Sequence, residues 1–309
     1  MTTIRDIAEQ AGVSVAAVSL ALNGKPGVGA DTRKRVLRIA NELDYKRPGG
    51  ATARVPQKLG TVRFLKVSQH GHTVNRDHNV FISDYIDGIS EVAVERNYNL
   101  EVAGCEKADV QELVRSLDDR SIAGAIVLGT ELSYRQVALF DDVDVPVVFL
   151  DTYYPFLQFD FVDMDNLDAV YKIVSEFVAA GHRRIGLVTS PVKVENVRNR
   201  DAGWVRETRE VGSASEDTIT IPLDSTYDGS YADMKRYLDE GGDVPTALFC
   251  VNDMIAYGCV AALKDSGMRV PEDVAVIGFD NLPQSERHAP PLTTIDVQKH
   301  TMGGVCMSM

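Results

Sequence analysis

From residue 60 onward, short apolar runs alternate with longer segments of helical periodicity, and this alternation limits the possible folds more than any other feature. Strands are predicted at 61–66, 99–103, 125–128, 147–150, 185–189, 218–221, 247–251 and 274–278. Helices are predicted at 80–96, 110–118, 134–141, 167–180, 196–209, 230–239 and 254–266. Strands that alternate with helices are typical of βαβ units and of parallel sheets with both faces covered. We therefore expect an α/β fold for this part of the chain.

The N-terminal two dozen residues have a different pattern, that of two short helices joined by a tight turn. Thr3 and Asp6 form a capping box, after which apolar residues recur at helical spacing until Gly12. Ser14 caps a second helix. This pattern predicts a helix-turn-helix, whose second helix fits the major groove of DNA. The alternative is an ordinary helical hairpin inside a globular domain.

Charge separates this N-terminal segment from the rest of the chain. Residues 1–60 contain ten Lys and Arg against five Asp and Glu, a net charge of +5, whereas residues 61–309 contain 22 against 40, a net charge of −18. A third helix, predicted at 30–43, carries several of the basic residues. Most of these are expected to form a solvated helix surface, and some to contact phosphates. The acidic remainder excludes a general nucleic-acid surface and keeps DNA near the N-terminal segment.

The sequence carries no motif for export, membrane insertion or cofactor binding. None of its four cysteines belongs to a Cys-x-x-Cys pair, so neither a zinc finger nor a disulfide framework is predicted. No apolar run reaches the roughly 18 residues of a membrane span, and the N-terminus lacks a signal-peptide pattern. The phosphate-binding glycine motifs and the Gly-x-Ser-x-Gly elbow of hydrolases are absent. We expect a bacterial cytoplasmic protein that is not an enzyme and has no cofactor, metal or membrane partner.

Several short motifs of the N-terminal segment recur at fixed spacing. They are Thr3-Ile4-Arg5-Asp6-Ile7-Ala8, Ala11-Gly12-Val13-Ser14, Val18-Ser19 and Leu22-Asn23. In these motifs the chain resembles the headpiece of the lac repressor family of bacterial transcription regulators, and the likeness continues through most of the remaining chain. The resemblance implies a small all-α helix-turn-helix headpiece at 1–45, a hinge or linker at 46–59, and an α/β effector-binding and dimerisation domain at 60–309.

The resemblance also implies how the α/β domain is divided. We expect two doubly wound parallel-sheet subdomains, as in periplasmic binding proteins, that close on a small molecule. The first is expected at about 60–160 plus a C-terminal return, and the second at 161–291. The run from Ala289 to Ile295 resembles the family's late crossover strand. Because family members continue for some tens of residues beyond it, we expect the C-terminal return to be truncated or missing.

For the second predicted helix, the family implies base-reading roles for Val15, Ala16 and Leu20. Positions that meet phosphates or groove edges in the family are Thr3, Ser14, Ser19 and Asn23. Leu20 stands where the family often has Arg, which removes a bidentate partner of guanine worth roughly 1–3 kcal/mol of discrimination. We therefore expect contacts with thymine methyl groups and an operator unlike that of the best-known members.

The linker departs from the family's pattern. In the family this stretch becomes a short hinge helix on DNA and wedges a Leu into the minor groove. Residues 49–58 contain no Leu here, and two Gly and one Pro disfavour a helix. Either Val55 or Arg54 inserts instead, or the linker is a plain flexible tether.

Polar residues follow three of the predicted strands, at the edge where ligands bind in open α/β sheets. They are Asp151, Asn252 and Asp280. Together with Arg200 they match positions that ring the effector pocket in the family. Their carboxylate, amide and guanidinium groups suit the hydroxyl groups of a sugar. The alternative for Asp151 is that it only caps the element that follows it.

Ser225 and Tyr227 fall where several family members have an aromatic residue that stacks on the ligand. If Ser225 is the counterpart, stacking there is lost, and Tyr227 or Phe81 takes its place. A His-x-His pair in the segment 67–79 admits a metal site, although no Cys or carboxylate cluster completes it in the sequence. We favour a role for this segment in the pocket mouth or in the dimer contact.

These features favour a sequence-specific DNA-binding transcription regulator, in the leading interpretation a repressor that binds a near-palindromic operator as a homodimer. A small effector, a sugar or sugar derivative, would bind between two lobes and shift the population of lobe arrangements, and operator affinity with it. The alternative is a cytoplasmic small-molecule binding module with a weakened or vestigial headpiece. An α/β enzyme acting on sugars lacks any nucleophile or cofactor motif.

Overall fold

The computed structural model describes residues 3–23, 25–43, 45, 58–107, 109–212 and 218–309. The chain divides into two compact units, residues 1–57 and residues 58–309. The predicted wedge residues Arg54 and Val55 lie outside the described residues.

The N-terminal unit is built from short helices. They are α1 (Ile4–Ala11), α2 (Val15–Leu22) and α3 (Ala30–Glu42). All three contribute to one small core, in which Ile7, Val18 and Val36 are fully buried. Each helix is too short to be stable alone, so this shared core holds the unit together. The predicted helix-turn-helix is confirmed.

Local capping fixes the ends of α1 and α2. Thr3 and Asp6 form the predicted capping box at the start of α1. Gly12 ends α1 in the left-handed region, at φ 64°, where glycine carries no steric penalty. Two residues later Ser14 begins α2, and its Oγ accepts a hydrogen bond from the backbone N–H of Ala17 at 3.2 Å. The turn between α1 and α2 is therefore defined by residues whose capping roles were predicted from the sequence.

The second unit contains parallel strands and covering helices. The strands are β1 (Thr61–Ser68), β2 (Asn99–Glu106), β3 (Ile122–Leu128), β4 (Val147–Leu150), β5 (Asp160–Val162), β6 (Ile185–Thr189), β7 (Thr218–Pro222), β8 (Ala247–Cys250), β9 (Ala275–Phe279) and β10 (Thr293–Ile295). The helices are α4 (Asn79–Glu95), α5 (Val110–Arg115), α6 (Tyr134–Val137), α7 (Asn166–Ala179), α8 (Glu195–Glu210), α9 (Tyr227–Asp239), α10 (Asp253–Asp265), α11 (Pro283–Arg287) and α12 (Lys299–Ser308).

The strands form two separate five-stranded sheets of the same topology. The first has the order β2-β1-β3-β4-β5 and the second the order β7-β6-β8-β9-β10. All neighbouring strands are parallel. We call the first sheet with α4, α5 and α6 lobe 1, and the second sheet with α7 to α11 lobe 2. Each sheet is doubly wound, with its switch point beside β1 or β6, so the predicted fold class is confirmed.

The chain passes between the lobes at residues 163–165 and again at 296–298. After the second passage α12 packs against α4, so the chain does return to lobe 1. The contact is close: a Cβ on Gly88 would lie 1.9 Å from the carbonyl oxygen of His300.

The predicted boundary between the two subdomains, at residue 160, falls within β5. The predicted end of the second subdomain, at residue 291, falls before β10.

Several further elements differ from the prediction, among them α11, which had no predicted counterpart. The helix predicted at 134–141 is the short α6 followed by a 3-10 turn, Ala138–Asp142. Two adjacent acidic residues at its end oppose the helix dipole there. The strand β5 has only three residues, and α12 contains Gly303 and Gly304, so neither had a clear sequence pattern. In α12 close packing on α4 outweighs the low helix propensity of glycine.

Candidate ligand cavity and candidate nucleic-acid interface

A cavity lies between the lobes, beside the carboxyl ends of the central strands. The predicted residues that line it are Phe81, Asp151, Arg200, Asn252 and Asp280. Residues that line it without having been predicted are Thr73, Val74, His78, Ile82, Thr130, Met164, Val194, Asn196 and Val197. The location follows from topology, because connections leave a doubly wound sheet on opposite faces at its switch point and leave a crevice there.

Asp151 is a buried carboxylate that connects the lobes. Its Oδ1 accepts hydrogen bonds from the Tyr85 hydroxyl and from Nδ2 of Asn196, both at 3.1 Å. The Thr130 hydroxyl donates to its Oδ2. Burial raises the pKa of Asp151, while these hydrogen bonds and the charge of Arg200 act in the opposite direction. Because the next helix, α7, begins far downstream, capping does not explain Asp151.

Arg200 is fixed by groups around it in the cavity wall. Its Nε donates to Oδ1 of Asn166 at 2.8 Å, and one terminal nitrogen donates to the carbonyl oxygen of Val251. The other terminal nitrogen lies 3.0 Å from the sulfur of Met164. The guanidinium carbon lies 3.5 Å from the ring centre of Phe279. Burial lowers the pKa of Arg200, while nearby carboxylates raise it, with a net lowering.

A chain of side-chain amides joins these two charged residues. Nδ2 of Asn166 donates to Oδ1 of Asn196 at 3.0 Å, and Asn196 in turn donates to Asp151. Since Asn166 also accepts from Arg200, the path runs without a break from lobe 1 to the guanidinium. Buried polar networks of this kind favour one arrangement of their members. We call it the interlobe path.

Asp280 is held in a strained backbone conformation at the end of β9. Its φ is 124° and that of Asn281 is 50°, both in the left-handed region. The buried Nζ of Lys299 donates to the carbonyl oxygen of Asp280 at 2.6 Å and also to that of Asn281. The Asp280 carboxylate accepts no hydrogen bond from any residue that the structure describes. Burial raises its pKa well above the ordinary value, against the lowering effect of Arg200.

Asn252 both caps a helix and faces the cavity. Its Oδ1 accepts the backbone N–H of Ile255 at 2.8 Å, at the start of α10. Its Nδ2 lies 3.4 Å from Nε2 of His78, which belongs to lobe 1. Burial lowers the pKa of His78 to about 4, so the ring is neutral near pH 7. The contact is therefore a neutral hydrogen bond between the lobes.

Of the three residues considered for ligand stacking, Phe81 lines the cavity and the other two do not. Ser225 is buried, and its hydroxyl donates to that of Ser190 at 2.9 Å. Tyr227 is 38% exposed at the start of α9, and its backbone N–H donates to a carboxylate oxygen of Asp77 at 3.3 Å. Of these three residues, only Phe81 is placed to stack on a ligand in the cavity.

Residues 69–78, which we call the mouth loop, are organised by Glu131. The Glu131 carboxylate accepts hydrogen bonds of 2.7 to 3.1 Å from the backbone N–H groups of Gln69, His70, Gly71, Thr73 and Val74. Burial raises the pKa of Glu131, but these hydrogen bonds outweigh it and lower the pKa to about 2. The Thr73 hydroxyl also donates to Glu131, at 3.0 Å. This role was not predictable from the sequence, because most of the groups that the loop contributes are backbone N–H groups.

The mouth loop also reaches lobe 2. Nδ1 of His72 lies 3.8 Å from a carboxylate oxygen of Asp224, and Asp77 accepts from Tyr227 as described above. Thr73 lines the cavity between these contacts. The predicted alternative of a metal site has no further support here: in the ranges that the structure describes, no group of three His, Cys, Asp or Glu is arranged to hold a metal ion.

The candidate nucleic-acid interface is the outer side of α2. Val15 and Ala16 are exposed, and Ser19 and Leu20, one helical turn further on, are half-buried beside them. The exposed Asn23 donates from Nδ2 to the carbonyl oxygen of Ser19 at 2.7 Å.

Two other predicted DNA contacts, Thr3 and Ser14, also cap α1 and α2. Their side chains therefore have a structural role whether or not they meet phosphates.

Both units of the chain resemble known protein families. A family model of bacterial regulatory proteins, lacI family, matches residues 3–48, and one of periplasmic binding protein-like domains matches residues 174–309. The HTH-type transcriptional repressor CytR of Escherichia coli (strain K12) is 30% identical over 308 residues, which is 99% of this chain and 87% of that protein. The chain belongs to the lac repressor family.

Solved structures of transcription regulators are similar to this chain. A lac repressor dimer bound to operator and the anti-inducer ONPF is 26% identical, with a TM-score of 0.70 over 99% of this chain and 91% of that chain. The transcriptional regulator CelR in complex with cellobiose is 26% identical, with a TM-score of 0.70 over 100% and 91%. As a member of this family the chain is a regulatory protein and not an enzyme. In the described part of the chain, no helix has the length and apolar character to cross a membrane.

Proposed function

We propose that this protein is a transcription repressor whose affinity for operator DNA is controlled by a sugar or sugar derivative bound between the lobes. The observation that carries the proposal is the interlobe path, because it joins Asp151 to Arg200 along the wall of the cavity. A ligand in this cavity contacts both lobes and therefore changes the relative free energies of their arrangements. The likeness to the operator-bound lac repressor and to CelR with cellobiose supports both partners.

We assign effector contact to the cavity-lining residues Phe81, Asp151, Arg200, Asn252 and Asp280. Carboxylates and amides pair with hydroxyl groups, and the Phe81 ring suits the apolar face of a sugar. For a 100-fold change in operator affinity, the effector must prefer one lobe arrangement by only about 2.7 kcal/mol. A few hydrogen bonds that form in one arrangement and not in the other supply this amount.

We assign base reading to the exposed side of α2, with Val15 and Ala16 at its centre and Leu20 beside them. These mostly apolar side chains suit the methyl groups of thymine. One α2 reads only a half-site, so the protein acts as a homodimer on a near-palindromic operator in the cytoplasm. Thr3, Ser14, Ser19 and Asn23 contact phosphates or groove edges of the DNA, and Arg54 or Val55 of the linker enters the minor groove.

The proposal is tested with two single charge changes in the N-terminal unit. Operator sequences are selected from a random DNA pool with the full-length protein, and binding is measured by fluorescence anisotropy. Ala16→Glu places a charge on the reading side of α2, where an acidic residue in the first turn favours the helix dipole and preserves folding. Gln10→Glu adds the same charge to an exposed position of α1. We expect at least a 100-fold loss for Ala16→Glu and less than a threefold loss for Gln10→Glu.

Two results would contradict the proposal. One is that the protein selects no specific sequence at moderate salt. The other is that Ala16→Glu binds the selected sequence as tightly as the unchanged protein. Either result would favour the alternative, a small-molecule binding module with a vestigial headpiece.

A further inference from the structure

An open groove lies beside the first passage of the chain between the lobes, at residues 163–165, and we call it the crossover groove. Residues 153–156 and Phe161 contribute to it from lobe 1, and the N-terminal parts of α7 and α8 contribute from lobe 2. Of the described residues, only Met164 lines both this groove and the ligand cavity. The crossover groove is therefore a second concavity with walls from both lobes.

Aromatic side chains form the exposed part of the crossover groove. Phe156 is 84% exposed and Tyr153 is 49% exposed. The rings of Tyr153 and Phe161 pack edge to face, with 5.7 Å between their centres, which holds Tyr153 in place. Exposed apolar side chains gathered around one concavity are typical of binding sites. The two exposed rings are available to a ligand.

The charged side chains that line the crossover groove are all acidic. They are Asp163, Asp165 and Glu195, and none of the described lining residues is Lys, Arg or His. Asp165 caps α7, where its Oδ1 accepts the backbone N–H of Asp168 at 3.0 Å. Oε2 of Glu195 lies 3.4 Å from a terminal nitrogen of Arg198, in a largely exposed pair that neutralises little of the charge. The groove thus has an excess of negative charge.

Asp163 is the member of this acidic set that lacks a partner. Its Oδ1 is buried and has no hydrogen bond to any residue that the structure describes. Burial raises the pKa of Asp163 to about 7, and the charge of Asp151 adds to this effect. Native proteins rarely leave a buried acceptor unpaired, because its hydration is then lost without compensation. A donor from outside the chain would supply that compensation.

Rings and carboxylates in this combination match an organic cation. Aromatic faces attract ammonium groups within about 6 Å of the ring centre. An ammonium group has three N–H donors, so it can pair with a carboxylate while its methylene groups lie against a ring. Within the described ranges, no group of three His, Cys, Asp or Glu is arranged to hold a metal ion, which disfavours an inorganic cation. An anion would be repelled by the three carboxylates.

We propose that the crossover groove is a second ligand site, which binds an aliphatic di- or polyamine in its ammonium form. One ammonium group donates to Asp163, the methylene chain lies against Tyr153 and Phe156, and a second ammonium group meets Glu195 or Asp165. The proposal does not depend on which effector the ligand cavity binds. Because the groove has walls from both lobes, the bound amine adds a second small-molecule input to the same pair of lobes.

The experiment measures amine binding by calorimetry with the full-length protein in about 0.15 M salt, which screens weak surface attraction. The probes are 1,4-diaminobutane and spermidine, and the matched neutral probe is 1,4-butanediol. We expect one molecule of amine per chain, bound at least about tenfold more tightly than the diol, because hydrogen bonds to charged groups are the stronger ones. Magnesium chloride at the same concentration as the amine should not displace it.

Two pairs of variants locate the bound amine. Asp163→Asn keeps the shape of the side chain, removes its charge, and should weaken binding at least about tenfold. Asp243→Asn, which removes an exposed carboxylate elsewhere in lobe 2, should leave binding unchanged. Phe156→Ala should weaken binding about two- to fivefold through the lost cation–π contact. Tyr171→Ala removes an exposed ring of α7 outside the groove and should have no effect.

Proton release gives a readout that a purely structural role of Asp163 would not produce. The charged or titratable groups that act on Asp163 are Asp151, Glu195 and Arg200, and Asp163 in turn acts on Tyr85. A bound ammonium group favours the ionised carboxylate, so binding at pH 7 should release about half a proton. Calorimetry in two buffers of different ionisation enthalpy measures this number. Binding should strengthen as the pH rises through 7, and Asp163→Asn should release no proton.

The results that would overturn the proposal are specific. They are the absence of amine binding, equal affinity for the diol, displacement by magnesium, or unchanged affinity in both Asp163→Asn and Phe156→Ala. The last result would place the amine in the ligand cavity or on the general acidic surface. None of these results affects the proposed binding of operator DNA or of an effector, which the random-pool selection tests separately.

Discussion

Asn196 in α8 of lobe 2 donates from Nδ2 to both the carboxylate and the backbone carbonyl oxygen of Asp151 in lobe 1, each at 3.1 Å. These two bonds are the only step of the interlobe path that crosses from one lobe to the other among the described residues. Because the Asp151 carboxylate is buried, a missing donor is not replaced freely by water. The pair therefore contributes to the stability of this lobe arrangement.

Removing the Asn196 amide should loosen the contact between the lobes. Asn196→Ala deletes both bonds and leaves Asp151 with fewer donors in a buried site. We expect the free energy of unfolding in urea to fall by roughly 1–3 kcal/mol. The matched control is Asn199→Ala, one turn along α8, where the side chain has no such bond to Asp151; its loss should stay below about 0.5 kcal/mol. Equal losses in the two variants would contradict a special role for Asn196.

The mouth loop should lose its order when the charge of Glu131 is removed. Glu131→Gln replaces one carboxylate oxygen by an NH2 group, which faces backbone N–H groups and cannot accept from them. We expect the amides of Gln69 to Val74 to exchange hydrogen at least tenfold faster, measured by mass spectrometry. Glu112→Gln, an exposed position of α5, should leave this exchange unchanged.

The same bonds should also depend on pH in a defined direction. The pKa of Glu131 is lowered from 4.5 to about 2, so the hydrogen bonds stabilise the folded state fully above pH 4.5. This stabilisation is lost as the pH falls from 4.5 towards 2. Slow exchange in the mouth loop that persists in Glu131→Gln would show that other contacts hold the loop.

His78 should make the protein less stable in mild acid. Burial lowers the pKa of His78 from 6.5 to about 4, so the unfolded chain binds a proton that the folded chain does not bind between these values. The stabilisation is present above pH 6.5 and is lost progressively towards pH 4, by up to about 3 kcal/mol. Urea unfolding at several pH values should show a smaller decline in His78→Gln. His300→Gln, on the exposed side of α12, serves as control and should decline as the unchanged protein does.

The strand-end residues of the cavity were predictable because their positions follow from local sequence. Asp151, Asn252 and Asp280 each come after an apolar run, and parallel strands bring such positions to one edge. Arg200 was found through family resemblance, since a single Arg on a helix has no local signature. The structure brings five predicted residues together in the cavity: the three strand-end residues, Arg200 and Phe81.

The residues that support the cavity were not predictable in the same way. Glu131 contacts mostly backbone N–H groups of the mouth loop, which every residue type except proline can supply, so the sequence of the partner segment does not indicate the contact. Lys299 is a buried cation satisfied by carbonyl oxygens, including that of Asp280. Asn196 contacts Asp151 across a long separation in sequence. Each of these depends on tertiary geometry that a periodic pattern does not encode.

The close packing of α4 against α12 depends on the absence of a side chain at Gly88. A Cβ at this position would lie 1.9 Å from the carbonyl oxygen of His300, which is backbone and cannot rotate away. Gly88→Ala therefore forces the helices apart and should lower the free energy of unfolding by roughly 1–3 kcal/mol or more. Gly104→Ala in β2 is the matched control, because its Cβ would meet nothing within 4 Å. Thermal unfolding should show a clear decrease in midpoint for Gly88→Ala and none for Gly104→Ala; an unchanged midpoint for Gly88→Ala would mean that α12 is not packed against α4 at this distance.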